Sequence, residues 1–327
     1  MRDFTYFRAS SPDDARQRAA QTGAMLLAGG TTLLDLAKCG VAEPESVIDI
    51  SHLASLSQIS ADANGVTIGA LAKMEDVAGS PGIRANYPAI SQSLLLAASP
   101  QLRNMATIGG NLLQRTRCPY FRDPGTFPAC NKRTPGSGCS VFGGVTRNHA
   151  VLGTSEACVA SYPGDLAVAL VALEATIDLG DRQVAADDFF VLPGNTPERE
   201  TLLERGEMLM AVNIPASPVA RNSTYLKVRD RQSYEFAAAS AAVGLVLEED
   251  GRTVRDIRVA MGGVATKPWR ARSIEKALIG KALDSSTVAA ASRLAMDGAV
   301  AHGGNHYKIE LAPRVVARAI LTMGGLA

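Results

Sequence analysis

The sequence predicts an α+β protein of two domains, and three observations carry that expectation. The chain has 327 residues, about two domains' worth at roughly 150 residues each. Its first forty residues alternate strand, helix and strand, and beyond residue 222 strand patterns give way to helical ones, the order of an α+β domain. Between the halves, Ala216 to Asn222 is polar with two prolines in the vicinity, a natural boundary. Hydrophobic residues make up 46% and charged residues 20%, enough apolar material for real cores. The 33 basic residues against 32 acidic ones give a net charge of +1, which argues against a nucleic-acid or membrane-surface partner. The longest apolar stretches, residues 166–173 and 236–247, are too short to cross a bilayer, so no membrane insertion is expected.

Each element has a local reason. Ser11-Pro12-Asp13-Asp14 starts a helix with a cap, a proline in the first turn and early acids. Gly23 stops it, and Ala24 to Leu27 is a short apolar run of a buried strand. Val47 to Ile50, Val66 to Ile68, Thr176 to Leu179 and Met208 to Ile214 read as further strands, with helices at Pro88 to Ala98 and Asp165 to Ala175. In the second half, Thr224 to Val228, Ala238 to Leu247 and Val254 to Met261 are strand-like. Ile274 to Leu278, Ser286 to Ala299 and Ala312 to Met323 are helical.

Two glycine turns follow apolar runs: Leu26-Leu27-Ala28-Gly29-Gly30-Thr31-Thr32-Leu33-Leu34 and Thr107-Ile108-Gly109-Gly110-Asn111. Glycines let backbone N–H groups approach and converge on an anion, and Thr31, Thr32, Thr107 and Asn111 add side-chain donors. A pyrophosphate suits such a surface, although each turn alone could be an ordinary tight turn. Neither the G-x-G-x-x-G nor the Walker pattern is present, so this is not the first turn of a Rossmann unit.

Residues 115–160 form an irregular excursion holding Cys118, Cys130, Cys139 and Cys158, with 11, 8 and 18 residues between them. Zinc knuckles space cysteines by two to four; wide spacing suits a four-cysteine iron–sulfur cluster, with zinc or free thiols and disulfides as the alternatives. Arg115, Arg117, Arg122, Lys132, Arg133 and Arg147 face only Asp123 between residues 115 and 149, as an anionic cluster would require. Gly110 and Cys118 are at most about 29 Å apart even fully extended, so the two sites are neighbours. The four histidines show no metal spacing and are expected to be structural or on the surface, Cys39 to be a buried small hydrophobe, and Tyr120 and Phe121 either to shield the cluster or to anchor the loop.

These motifs, with the segments at residues 49–53, 163–175, 212–215, 225–237 and 262–271, occur in an order that resembles the FAD-binding medium subunit of molybdenum hydroxylases, the xanthine dehydrogenase and aldehyde oxidoreductase group. The likeness covers nearly the full length, and the cysteine excursion looks like the [4Fe–4S]-containing aldehyde oxidoreductase type. It implies a PCMH-type (vanillyl-alcohol-oxidase-like) FAD-binding fold over 1–216, with subdomains at about 1–55 and 56–216 and the iron–sulfur insertion at 115–160. Residues 217–327 would be a C-terminal domain of CO dehydrogenase flavoprotein type. The resemblance also places Asp165 at the ribityl–phosphate region of FAD, Leu209 near the flavin ring and Lys227 near the isoalloxazine; Glu235-Phe236 departs from the usual Asp-aliphatic pair. It implies a molybdenum-cofactor-binding large subunit, a [2Fe–2S] small subunit and an external electron acceptor. A zinc-stabilised scaffold and a stand-alone flavin oxidase are the rival readings. No leader is apparent after Met1, so the expected location is the cytoplasm, or the periplasm if the chain travels with a signal-bearing partner.

Overall fold

The computed structural model describes residues 1–326. The first sheet comprises β1 (Thr5–Arg8), β2 (Ala24–Leu27) and β3 (Ser46–Asp49), all parallel, in the order β1-β3-β2. The crossover helix Pro12–Ala19 begins as its sequence dictates: the Ser11 side chain accepts from the Asp14 N–H, and Gly23 turns at φ +72°. A second sheet follows, built from β4 (Ile59–Ala61), β5 (Gly65–Gly69), β6 (Thr176–Asp178), β7 (Gln183–Ala185) and β8 (Ala211–Pro215), in the order β4-β5-β8-β6-β7. Strand β8 starts three residues later than its apolar run suggests and continues into Pro215, whose missing N–H is tolerated at a strand end.

The C-terminal sheet is an antiparallel meander of β9 (Ser223–Val228), β10 (Ala239–Leu247), β11 (Val254–Gly262) and β12 (Trp269–Arg270), ordered β12-β11-β10-β9. Successive side chains of a strand point to opposite faces, and here both faces are buried. Ala241, Val243, Leu245, Ile257, Val259 and Met261 join a core with the C-terminal helices Arg272–Leu278, Ser285–Arg293 and Tyr307–Met323. Ala242 and Ala260 face the large core of the first domain. That core is centred on the helix Leu166–Ala172, all seven residues of which are buried, and which packs on β10 and β11. The approach is close: a Cβ on Gly262 would lie 2.6 Å from the Val168 side chain.

Residues 115–160 are irregular, with a single short helix at Pro119–Arg122. Lacking a ladder, this excursion is held by side chains. The Arg133 guanidinium donates to the carbonyls of Tyr120, Phe121, Phe127 and Pro128. Five helices differ from their expected bounds: the central one is Leu166–Ala172, short of the expected Ala175, and Arg272–Leu278 starts two residues before Ile274. Pro88–Leu96 ends early, with Ala98 turning to φ +50°; Ser285–Arg293 gives way to a 3-10 turn; and Tyr307–Met323 begins five residues before Ala312, with Pro313 inside it. Among the described residues no helix is long and apolar enough to cross a membrane.

Candidate functional site

Both glycine turns open on one cleft of about 1100 Å³, part of it open solvent. Leu26, Ala28, Gly29, Gly30, Thr31, Thr32 and Leu33 line it from the first turn, Thr107, Gly109 and Gly110 from the second, and Leu209 from the approach to β8. Gly29 is required by the neighbouring chain, because a Cβ there would lie 2.1 Å from the Met105 carbonyl oxygen. Gly30 adopts φ +74°, the left-handed region that favours glycine. Thr107 caps its own short helix by accepting from the Gly110 N–H at 3.2 Å, while the Thr32 hydroxyl makes no cap bond.

Six of the expected cofactor residues stand off the cleft wall. Leu27 and Leu34 fold beneath the turn, their methyls near Gly30, and Ile108 is buried in the main core. Asn111 turns its Nδ2 toward the Met74 sulfur at 3.5 Å and keeps Oδ1 buried without a partner. Asp165 and Lys227 bind each other instead. The Lys227 ammonium donates to the Asp165 carboxylate at 2.8 Å and to the Leu96 carbonyl at 3.1 Å, and the Tyr225 hydroxyl donates to Asp165 at 2.6 Å. Burial pushes the Asp165 pKa up, and Lys227 and Tyr225 pull it back. With side chains 5% and 1% exposed, the two form a buried ion pair between β9 and the start of the central helix. Sequence reasoning missed Ala70, Leu71, Met208 and Arg115 on the cleft wall. Ala70 is brought there by backbone pairing with Gly109 and Met210, which leaves no local pattern to read.

The four cysteines of the excursion gather in one packed cluster. Cys118, Cys130 and Cys158 are buried with Tyr120, Phe121 and Val159, and the half-buried Cys139 packs against them. Cys130 and Cys139 face each other across an antiparallel bridge, and none of the five cysteines of the chain is in a disulfide. Among the described residues no three His, Cys, Asp or Glu side chains converge to hold a single metal ion. Burial pushes the Cys118 thiol up to about 12. His149, expected to be merely structural, places Nε2 3.2 Å from the Cys118 sulfur and leaves Nδ1 buried and unpartnered; burial takes its pKa down to about 4. Tyr120 and Phe121 pack on the thiols, and Cys39 is half-buried beside Arg122 rather than in a core.

Known proteins with this arrangement are consistent in kind. Residues 2–217 match the FAD binding domain in molybdopterin dehydrogenase, and residues 223–323 match the CO dehydrogenase flavoprotein C-terminal domain. The aldehyde oxidoreductase FAD-binding subunit PaoB of Escherichia coli (strain K12) is 46% identical over 285 residues, covering 85% of this chain and 86% of that one. The carbon monoxide dehydrogenase medium chain of Hydrogenophaga pseudoflava is 30% identical over 332 residues, covering 97% and 96%. Reconstituted CO dehydrogenase from Oligotropha carboxidovorans superposes with a TM-score of 0.76 at 26% identity, over 100% of this chain and 99% of that one. With both halves matched and both glycine turns on one cleft, the chain belongs to the family of FAD-binding medium subunits of the molybdenum hydroxylases.

Proposed function

We propose that this chain is the flavin subunit of an aldehyde oxidoreductase-type complex and that it also carries a [4Fe–4S] cluster on Cys118, Cys130, Cys139 and Cys158. A molybdenum-cofactor-binding large subunit would oxidise the substrate, a [2Fe–2S] small subunit would deliver the electrons, and an external acceptor would remove them. The observation that carries the reading is the meeting of two glycine turns on one cleft, with four unpaired thiols between residues 118 and 158 packed into one cluster.

The residues fit the groups. The cleft joins a glycine-rich backbone to an apolar wall of Leu26, Leu33 and Leu209, the pairing that a diphosphate attached to a flat ring system requires. Thr31 and Thr32 offer hydroxyl donors on the cleft wall. Around the thiols, Arg115, Lys132 and Arg133 supply the positive charge that an anionic cluster needs. When bound, FAD supplies redox chemistry that links one-electron iron–sulfur donors to the acceptor. This chain's residues hold the flavin, keep its diphosphate against backbone donors and shield the cluster behind Tyr120 and Phe121.

The test is purification with its native partner subunits. We expect extractable FAD and about four iron and four acid-labile sulfide per chain. Cys139→Ser should retain FAD and lose iron. Absence of flavin defeats the first part of the reading, and unchanged iron in the Cys139→Ser protein defeats the second.

A further inference from the structure

A charged bridge crosses the ground between the two sites. A second cavity of about 970 Å³, part of it open solvent, shares Leu113, Arg115 and Leu203 with the flavin cleft and is lined also by Lys132 and Cys158. On its wall the Glu200 carboxylate takes a hydrogen bond at each oxygen: Arg115 Nε donates to Oε2, and Lys132 Nζ donates to Oε1 at 2.9 Å. Arg115 Nη2 donates at 3.2 Å to the Lys132 carbonyl, and Lys132 Nζ also donates to the Pro197 carbonyl at 2.8 Å. The Arg115 guanidinium lies 4.6 Å over the ring of Phe121, a wall of the cysteine cluster. The Lys132 side chain is only 9% exposed, so its charge is weakly screened.

We propose that Glu200 is a positioning residue that fixes one cation at each redox site, Arg115 at the flavin cleft and Lys132 at the cysteine cluster, and thereby sets the two reduction potentials together. The proposal rests on the reading of FAD and a four-iron cluster given above. Its physics is that of fixed charges in a poorly screened interior: a nearby cation favours the reduced, more negative form of either centre, and a carboxylate between two cations offsets part of both effects.

The experiment is a redox titration of the assembled complex, following flavin absorbance and the paramagnetic signal of the reduced cluster. Glu200→Gln removes the negative charge while keeping the side chain's size, and both potentials should rise. Glu200→Asp keeps the charge and should bring both back toward wild type, which a purely structural role does not predict. Lys132→Gln should shift in the opposite sense, lowering the cluster potential more than the flavin potential; it decides the matter alone if Glu200→Gln does not assemble. A loaded Glu200→Gln complex with either potential unmoved overturns the proposal while leaving the cofactor reading intact. A wild-type complex that holds flavin but no iron overturns both.

Discussion

Gly29 shows how one side chain, or its absence, decides whether the cleft exists. The glycine was legible as a ligand-approach residue, but its tightest constraint is internal, because the Met105 carbonyl occupies the place a Cβ would take. Gly29→Ala should therefore spread the two turns and weaken FAD retention roughly tenfold or more, at about 1.4 kcal/mol per decade, as read by flavin released on dilution. Retention equal to wild type would show that the turns can part without cost. Gly79 is the control, the last residue of the helix Met74–Gly79, with no positive φ and nothing within 4 Å of an added Cβ. There Gly→Ala should stabilise the protein by about 0.4–1 kcal/mol, by restricting the unfolded chain, measured by denaturant unfolding.

Elements whose start or stop is written in neighbouring residues were the legible part of the fold. Ser11-Pro12-Asp13-Asp14 specified the start of its helix, although the helix ends at Ala19, before Gly23, and the apolar runs of β10 and β11 specified those strands to within a residue. The Tyr307–Met323 helix was misjudged at its start because Pro313 reads as a first-turn residue, yet it sits inside the helix at the loss of one backbone bond. The cleft was legible because its glycines are contiguous, whereas the partners of Asp165 and Cys118 lie 62 and 31 residues away and leave no local mark. The helix Ser285–Arg293 offers a pH test of its cap. Asp284 accepts from the Thr287 N–H at 2.8 Å and from two hydroxyls, which hold its pKa well below the usual carboxylate range. A carboxylate with a lowered folded pKa stabilises fully above its unfolded value, about 3.9, and loses that contribution as pH falls toward the folded one. Asp284→Ala should thus lower Tm at pH 7, with the gap from wild type narrowing below about pH 4. A gap constant down to pH 2.5 would mean that the charge plays no part.

At the scale of the whole molecule, the two domains meet through the central helix on one side and the meander on the other, and the Asp165–Lys227 pair lies in that contact. The helix Leu166–Ala172 is apolar throughout, so its packing on β10 and β11 is strong but non-directional. The ion pair adds direction: Asp165 precedes the helix, and Lys227 projects from β9 to reach both that carboxylate and the Leu96 carbonyl at the end of the Pro88–Leu96 helix. One ammonium therefore registers two helices of the first domain against the sheet of the second. Breaking such a pair from one side leaves an uncompensated buried charge, and Lys227→Met should cost about 3–5 kcal/mol. Adding Asp165→Asn to Lys227→Met removes the stranded charge and should recover a good part of that loss, because an uncharged pair of similar volume carries a far smaller desolvation penalty. A double-mutant cycle by urea unfolding measures it. Additive losses would mean that the two side chains do not act on each other and that the domain contact rests on apolar packing alone.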